Sequence, residues 1–574
     1  METQVTLLHT GGLGIAETRL VNLVEFMGGA VRQLDAAKMT VRELASLSGC
    51  VIGSAAGIAE LGRAHGGVEV VRQSLANPSC RVLVYGFKPG REHAALLYAL
   101  TRGQLVSVEK ATGGTFQVAE AREVCAQLSG LQFETSDVEP RLIFKRGQSA
   151  GDDLISCGGQ PFLARAGALM LLAGDVFADL DAPVARDESL LRHLAGVAPL
   201  MMFLRHANPE GFWHNPEPLA CFIVDDPLLQ SRYGFLEYSK LVEVMERQPF
   251  SASIAFIPWN YRRSRSGIVE MFATRHGALS LSVHGCDHTR GEFGGSDERV
   301  LRGRSQVALE RMEKHRKLTG LGYDDVMVFP QGIFSTKAMR ALKECGYLAA
   351  VNSTPYPVDA PEAMALREHL GVAVLKHGFP LFTRRYPQQF AELAFDVFLG
   401  KPALLVEHHE FFRDGCTALE ETVRRVSHLD PRLRWTNLGT VCLRASRQRL
   451  TPRGEMVVEV VTARFQLVNH YGQPKRFQVI RPVHATEKKL AVFVNGREAN
   501  FVRTARGIEL NLELNAGERA ELRMEGVREP SADTDTRSGM MHQAKVMVRR
   551  HLCEFRDNHV ATSRLLRKPR TSSK

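Results

Sequence analysis

Between residues 219 and 412 the chain repeats one pattern: a short apolar run, then a stretch with helical periodicity. The runs are LACFIVDDP (219–227), SASIAFIP (251–258), GALSLSVHG (277–285), VMVFPQG (326–332), LAAVNS (348–353) and PALLVEHHEFF (402–412). Helical stretches lie near 235–247, 297–318 and 335–345, the last ending at Gly346. Apolar runs this short read as buried strands, and strands alternating with helices build a parallel sheet. Over 219–448 the alternation predicts a (β/α) barrel, a fold that places its chemistry at the C-terminal ends of the strands.

A chain of 574 residues has room for more than this unit, at roughly 100–200 residues per domain. Residues 1–195 carry the runs QVTLLHT (4–10), CVIGSAA (50–56) and RVLVYGF (81–87) between helical stretches, which predicts a parallel α/β layer domain. Its Gly-rich turns, Gly11–Gly14 and Gly53–Gly57, complete neither G-x-G-x-x-G nor a P-loop, so they read as turn geometry. The layer pattern loosely resembles glutamine-amidotransferase-like folds but lacks a G-x-[SC]-x-G nucleophile elbow, and so assigns no site. Residues 196–218, rich in Pro and Asn, read as a linker. From 449 to 527 the period becomes two. Ile508, Leu510, Leu512 and Leu514 share one face, a turn at Asn515–Gly517 leads into a returning strand, and Asn495-Gly496 marks a hairpin, so a small β-sandwich is expected. The tail, 528–574, is expected to be basic and disordered.

Hydrophobic residues at 44% and charged residues at 24% exclude wholesale disorder, collagen and coiled coil. The net charge of +10 is concentrated: residues 537–574 hold ten Lys/Arg and two Asp/Glu, leaving 63 against 61 before them. An electrostatic contact of the tail with a membrane surface or an acidic partner is one expectation, and nucleic-acid binding has no motif behind it. Ten scattered cysteines without a C-x-x-C pair suggest a reducing compartment. With no basic leader into a long apolar run and no membrane-length apolar stretch, a cytoplasmic location is expected.

Polar residues fall where the central apolar runs stop. Asp225 and Asp226 follow CFIV, His284 follows LSLSV and is joined by His288, and His408 and His409 follow ALLVE. Two imidazoles and one carboxylate make a three-ligand site with a position left for water, and a second carboxylate beside it could serve as base.

These residues resemble the polysaccharide deacetylases, a family with a distorted (β/α) barrel. FIVDDP matches the family's strand ending in Asp-Asp, HGALSLSVHGCDH its H-x-x-x-H motif, VMVFPQGIFSTKAMRALKECGYLAAVNS its third-motif region, and ALLVEHH its last strand ending in His. The match spans about 219–412, and departs at Val328, where the family usually has an Arg supporting the base, and at Pro227, where Gly is common. The resemblance implies one divalent metal, zinc being expected, held by Asp226, His284 and His288. Asp225 would be the base, the backbone N–H of Gln331 would face the oxyanion, and His408 or His409 would protonate the leaving amine, with His408 preferred. Pro330, Gly332 and Trp259 would contact substrate.

The expected activity is therefore metal-dependent hydrolysis of an acyl group, acetyl in the simplest case, from an N-acylated sugar of a glycan or glycan precursor. One alternative is a non-catalytic carbohydrate-binding or scaffold protein on the same barrel, which Val328 favours. Another is a glycoside hydrolase pairing an aspartate with Glu407 or Glu410, which leaves the histidines unexplained.

Overall fold

The computed structural model describes residues 2–111, 114–134, 141–148, 151–485, 487, 490–526 and 540–562. The first sheet begins as a parallel α/β layer. Gly29–Asp35, Thr3–His9, Gly49–Ser54, Cys80–Phe87 and Leu169–Ala173 lie side by side in that order and in parallel. Helices Ile15–Phe26, Ala55–Ala64 and Arg91–Thr101 connect them. Beyond Leu169–Ala173 the sheet turns antiparallel through Gln160–Ala166, Asp152–Cys157, Thr115–Val118 and Gln132–Glu134, so the expected parallel layer is only half of it.

The central sheet follows the predicted strand–helix order. Leu219–Asp225, Ala252–Phe256, Leu279–His284, Asp324–Val328, Ala349–Asn352 and Phe379–Thr383 run parallel as successive neighbours, and Ala403–Glu407 pairs with the free side of Leu219–Asp225. Strand residues alternate between two cores. Cys221 and Ile223 cluster with Val326, Val351 and Val406, whereas Phe222 and Val224 join the core that the flanking helices cover.

The strands of the expected (β/α) barrel do not close by regular pairing; no ladder joins Phe379–Thr383 to Ala403–Glu407. The two edges meet at an isolated bridge. The Arg385 N–H donates to the Leu404 carbonyl (2.8 Å) and the Val406 N–H donates to that of Arg385 (2.9 Å). Pro387, two residues on, has no N–H with which to extend the pairing. Behind the seam Asp396 accepts from Arg385 and Lys401, each at 2.7 Å, with Asp396 and Lys401 buried and Arg385 partly so.

Near the C-terminus a five-stranded and a four-stranded sheet enclose Val458, Phe465, Phe477, Val492, Leu510 and Leu522. The Asn495-Gly496 turn joins antiparallel strands Leu490–Val494 and Arg497–Glu498 as expected. Strand Arg519–Gly526 does not return beside Gly507–Leu514; it crosses to the other sheet and pairs with Arg464–Val468.

Two further expectations are corrected. Residues 196–207, read as the start of a linker, belong to the buried helix Leu194–Ala207, because GVAPLMMFL is a core-facing apolar run; only 208–218 connect irregularly. The tail, read as disordered, contains helix Met540–Phe555 and a wider turn at Arg556–Val560, packed against the central loops. Residues 527–539 and 563–574 lie outside the described residues. No described helix is long and apolar enough to cross a membrane.

Candidate metal centre

The C-terminal ends of neighbouring central strands bring the predicted ligands together. Asp225 ends strand Leu219–Asp225 and Asp226 follows at a left-handed φ of 81°; His284 ends strand Leu279–His284, two strands away, and His288 sits in the next loop at φ 55°. One ligand atom from each of Asp226, His284 and His288 lies within 4.8 Å of the others. The Asp226 Oδ1 is 3.0 Å from His288 Nε2 and 3.4 Å from His284 Nε2. The His284 Nδ1 lies 3.0 Å from the Val328 carbonyl. Donation of Nδ1–H to that carbonyl leaves the Nε2 lone pair facing the carboxylate, as an orienting contact does for a metal-binding imidazole. So Val328 orients the His284 ring through its backbone carbonyl.

The residues fit a divalent ion. Asp226 Oδ1 is buried without a hydrogen-bond partner, and with two imidazole nitrogens it forms a three-point donor set suited to zinc. Burial opposes ionisation of Asp226, yet His288, His284 and the Arg550 guanidinium hold its carboxyl well below the usual range. Burial pushes the His288 imidazole down to about 4, leaving it neutral at pH 7. His284 moves the other way: burial is outweighed by the Asp225 and Asp226 carboxylates, and its pKa is raised. An ionised carboxylate and a neutral imidazole are the forms a metal needs.

Asp225 is clamped by a residue that sequence reasoning missed. Arg384, at the end of strand Phe379–Thr383, donates from both terminal nitrogens to the two Asp225 oxygens at 2.8 and 2.7 Å. Burial opposes ionisation of Asp225, but Arg384 and His284 depress its pKa, so it is a carboxylate at neutral pH.

The structure separates the paired histidines. His408 is 40% exposed, with Nε2 4.0 Å from Asp225 Oδ2. His409 is only 4% exposed and turns away from the ligands. It stacks on Phe235, meets Tyr233 edge-on, and its Nε2 lies 3.3 Å from a Glu410 oxygen and 3.7 Å from Asp557. A Cβ on Gly234 would strike the His409 ring, so the glycine there is steric. Burial, with Glu410 and Asp225 adding to it, pushes the Glu407 carboxyl up to about 7.

The loop bearing His288 is organised by a second residue the sequence did not reveal. The Glu292 carboxylate accepts from the backbone N–H groups of Cys286, Asp287, His288 and Thr289 at 2.8 to 3.3 Å. Gly285, at φ 65°, is pinned between Glu292 and Pro330, either of which an added Cβ would strike. Pro330 is buried, Gln331 is left-handed at φ 58° with its Oε1 accepting from the Gly291 N–H (3.3 Å), and the Gly332 carbonyl accepts from Asn352 (3.1 Å). Trp259 is half-buried; its N–H bonds the Cys286 carbonyl at 3.1 Å, and the Arg263 guanidinium lies 5.7 Å from its ring centroid. Pro330 and Trp259 thus border the ligand loop.

No protein-family model matches the chain, and no curated protein is similar to it. Among solved structures it has a distant resemblance to a protein described as a polysaccharide deacetylase from Mycobacterium smegmatis, at 16% identity and a TM-score of 0.28, covering 40% of this chain and 91% of that one. A family 4 carbohydrate esterase from Streptomyces lividans, bound to acetate, matches at 10% identity and a TM-score of 0.24, covering 38% and 92%. A pseudoenzyme of that family from Bacillus anthracis matches at 9% and 0.23, covering 38% and 62%.

Proposed function

We propose that the chain is a metal-dependent hydrolase that removes an acyl group, acetyl in the simplest case, from the nitrogen of an amino sugar. What carries the reading is one arrangement: Asp226, His284 and His288 converge beside an Arg384-clamped Asp225, with His408 4.0 Å from Asp225. Arg384 pairs with Asp225 where Val328 cannot, and this supports the catalytic reading over a non-catalytic scaffold.

A divalent ion held by Asp226, His284 and His288 would supply a Lewis acid and a water of lowered pKa. Asp225 starts ionised, and Arg384 fixes the direction of its oxygens, so it can take the proton from the attacking water. The left-handed turn at Gln331 offers a backbone N–H to the oxygen of the tetrahedral adduct. His408 donates the proton that lets the amine leave as the C–N bond breaks. Water and amide thus become carboxylic acid and amine. Three roles fall on three separate loops, positioned by one sheet.

The test couples metal analysis of purified protein to acetate release from a panel of N-acetylated saccharides. Zinc bound by the wild type, lost in His288→Ala, and acetate release that requires it are the expected results. Metal content that is the same in His284→Ala and His288→Ala would reject the ligand set.

A further inference from the structure

The C-terminal helix Met540–Phe555 is amphipathic the wrong way round for a helix packed on a protein core. Val546, Arg550 and Glu554, with Asp557 in the turn that follows, form its buried side. Met541, Val548, Leu552 and Phe555, spaced seven, four and three apart along the opposite stripe, are 75, 55, 64 and 60% exposed.

Charged contacts fix that roll. Glu554 pairs with Arg263, His542 Nε2 lies 3.0 Å from Asp287, Tyr233 donates to Asp557 (2.8 Å) and the Gly234 N–H donates to Asn558 (2.6 Å). These partners sit in loops that follow three different central strands, so the segment spans the mouth above the metal ligands. Arg550, 2% exposed, is buried on the inner side of the helix, and its charge helps hold the Asp226 carboxyl down. Turning the apolar stripe inward would strip these pairs and expel a buried guanidinium, so the stripe stays outside.

We infer that this outer face docks onto an anionic lipid bilayer. Charge supports that occupant: Lys545 and Arg549 line one edge of the stripe, and residues 537–574 carry ten Lys/Arg against two Asp/Glu. An apolar stripe bordered by cations lies in the plane of a bilayer interface, and clustered basic residues select anionic headgroups. Sixteen residues are too few to span the hydrocarbon layer, so the helix lies along the surface.

The test uses the full-length protein in co-sedimentation with vesicles of phosphatidylcholine alone or mixed with phosphatidylglycerol. Binding to the phosphatidylglycerol vesicles, weakened by salt and at least tenfold weaker for a Leu552→Asp/Phe555→Asp variant with unchanged thermal unfolding, is the expected result. Should that variant misfold, Met541→Ser/Val548→Ser makes the same test. No binding to phosphatidylglycerol vesicles, or binding that the variants leave intact, overturns the proposal. So does a wild-type dimer in sedimentation that the variants dissociate, because the stripe would then cover a second copy. None of these readouts depends on hydrolysis.

Discussion

Arg384 and Asp225 face each other through two parallel hydrogen bonds of 2.8 and 2.7 Å, both side chains buried. Removing one partner of such a pair leaves an unpaired charge in the interior. Arg384→Met should therefore destabilise the fold by about 3–5 kcal/mol. It should lower turnover roughly 100-fold or more, and move the acid limb of the pH–rate profile upward, because Asp225 loses the cation that depresses its pKa. Zinc content should hold. A profile that stays in place in this variant would sever Arg384 from the base.

The two neighbouring histidines should behave differently. His408→Ala should cut hydrolysis of an amide roughly 100- to 10,000-fold, and affect an activated ester far less, since a good leaving group hardly needs the proton. His409→Ala should lower the melting temperature and leave the amide-to-ester ratio unchanged, because its ring packs on Phe235 and Tyr233. Kinetics on paired substrates and thermal unfolding separate the two; an amide-selective loss in His409→Ala instead would assign it the proton.

Glu292→Gln turns one acceptor oxygen into a donor facing backbone N–H groups that already donate. The loop holding His288 should rearrange, and zinc affinity should fall roughly 10- to 100-fold, as for other residues that orient ligands. Competition with a chelator gives the measurement, and wild-type affinity in the variant would show that the loop holds its shape without the carboxylate.

At the seam of the sheet, burial opposes the charge on Asp396, but Arg385 and Lys401 pull its pKa down to about 2. The folded value lies below an ordinary carboxylate's ~3.9, so the stabilisation is complete above about pH 4 and is lost as pH falls through about 2. Asp396→Asn should cost about 3 kcal/mol at neutral pH and flatten the stability curve in that acid window. Denaturant melts across pH 2 to 7 would show it, and an unchanged slope there would mean that the seam does not rely on this carboxylate.

The clustering of Asp226, His284 and His288 could be read from the sequence because each sits beside the apolar run that positions it: FIVDD and LSLSVHGCDH carry strand, turn and donor within a few residues. Arg384 could not, since its partner lies 159 residues earlier on a strand that is not its neighbour in the sheet, and only the meeting of Arg385 with Leu405 brings the two together. Seeing that His408 and not His409 lies beside Asp225 needed the actual path of the backbone after Glu407, where the strand ends and alternation no longer applies. The barrel was expected from the repeated strand–helix order, which does not say whether the sheet closes, and a single bridge from Arg385 to Leu405 is what spans the opening. Helix Met540–Phe555 could not be read from composition: it is held by charged side chains buried against distant loops, whereas several of its apolar residues face outward.

Asp226, His288 and Gln331 all hold left-handed backbone without being glycine. Each such side chain costs roughly 1–2 kcal/mol that a glycine would not. A library screened for heat resistance alone should therefore enrich glycine at these three positions; at Asp226 or His288 it removes a donor of the cluster, whereas at Gln331 it keeps the backbone N–H. Any campaign to improve this protein has to select for activity at every round, because its durability and its chemistry pull on the same few residues in opposite directions.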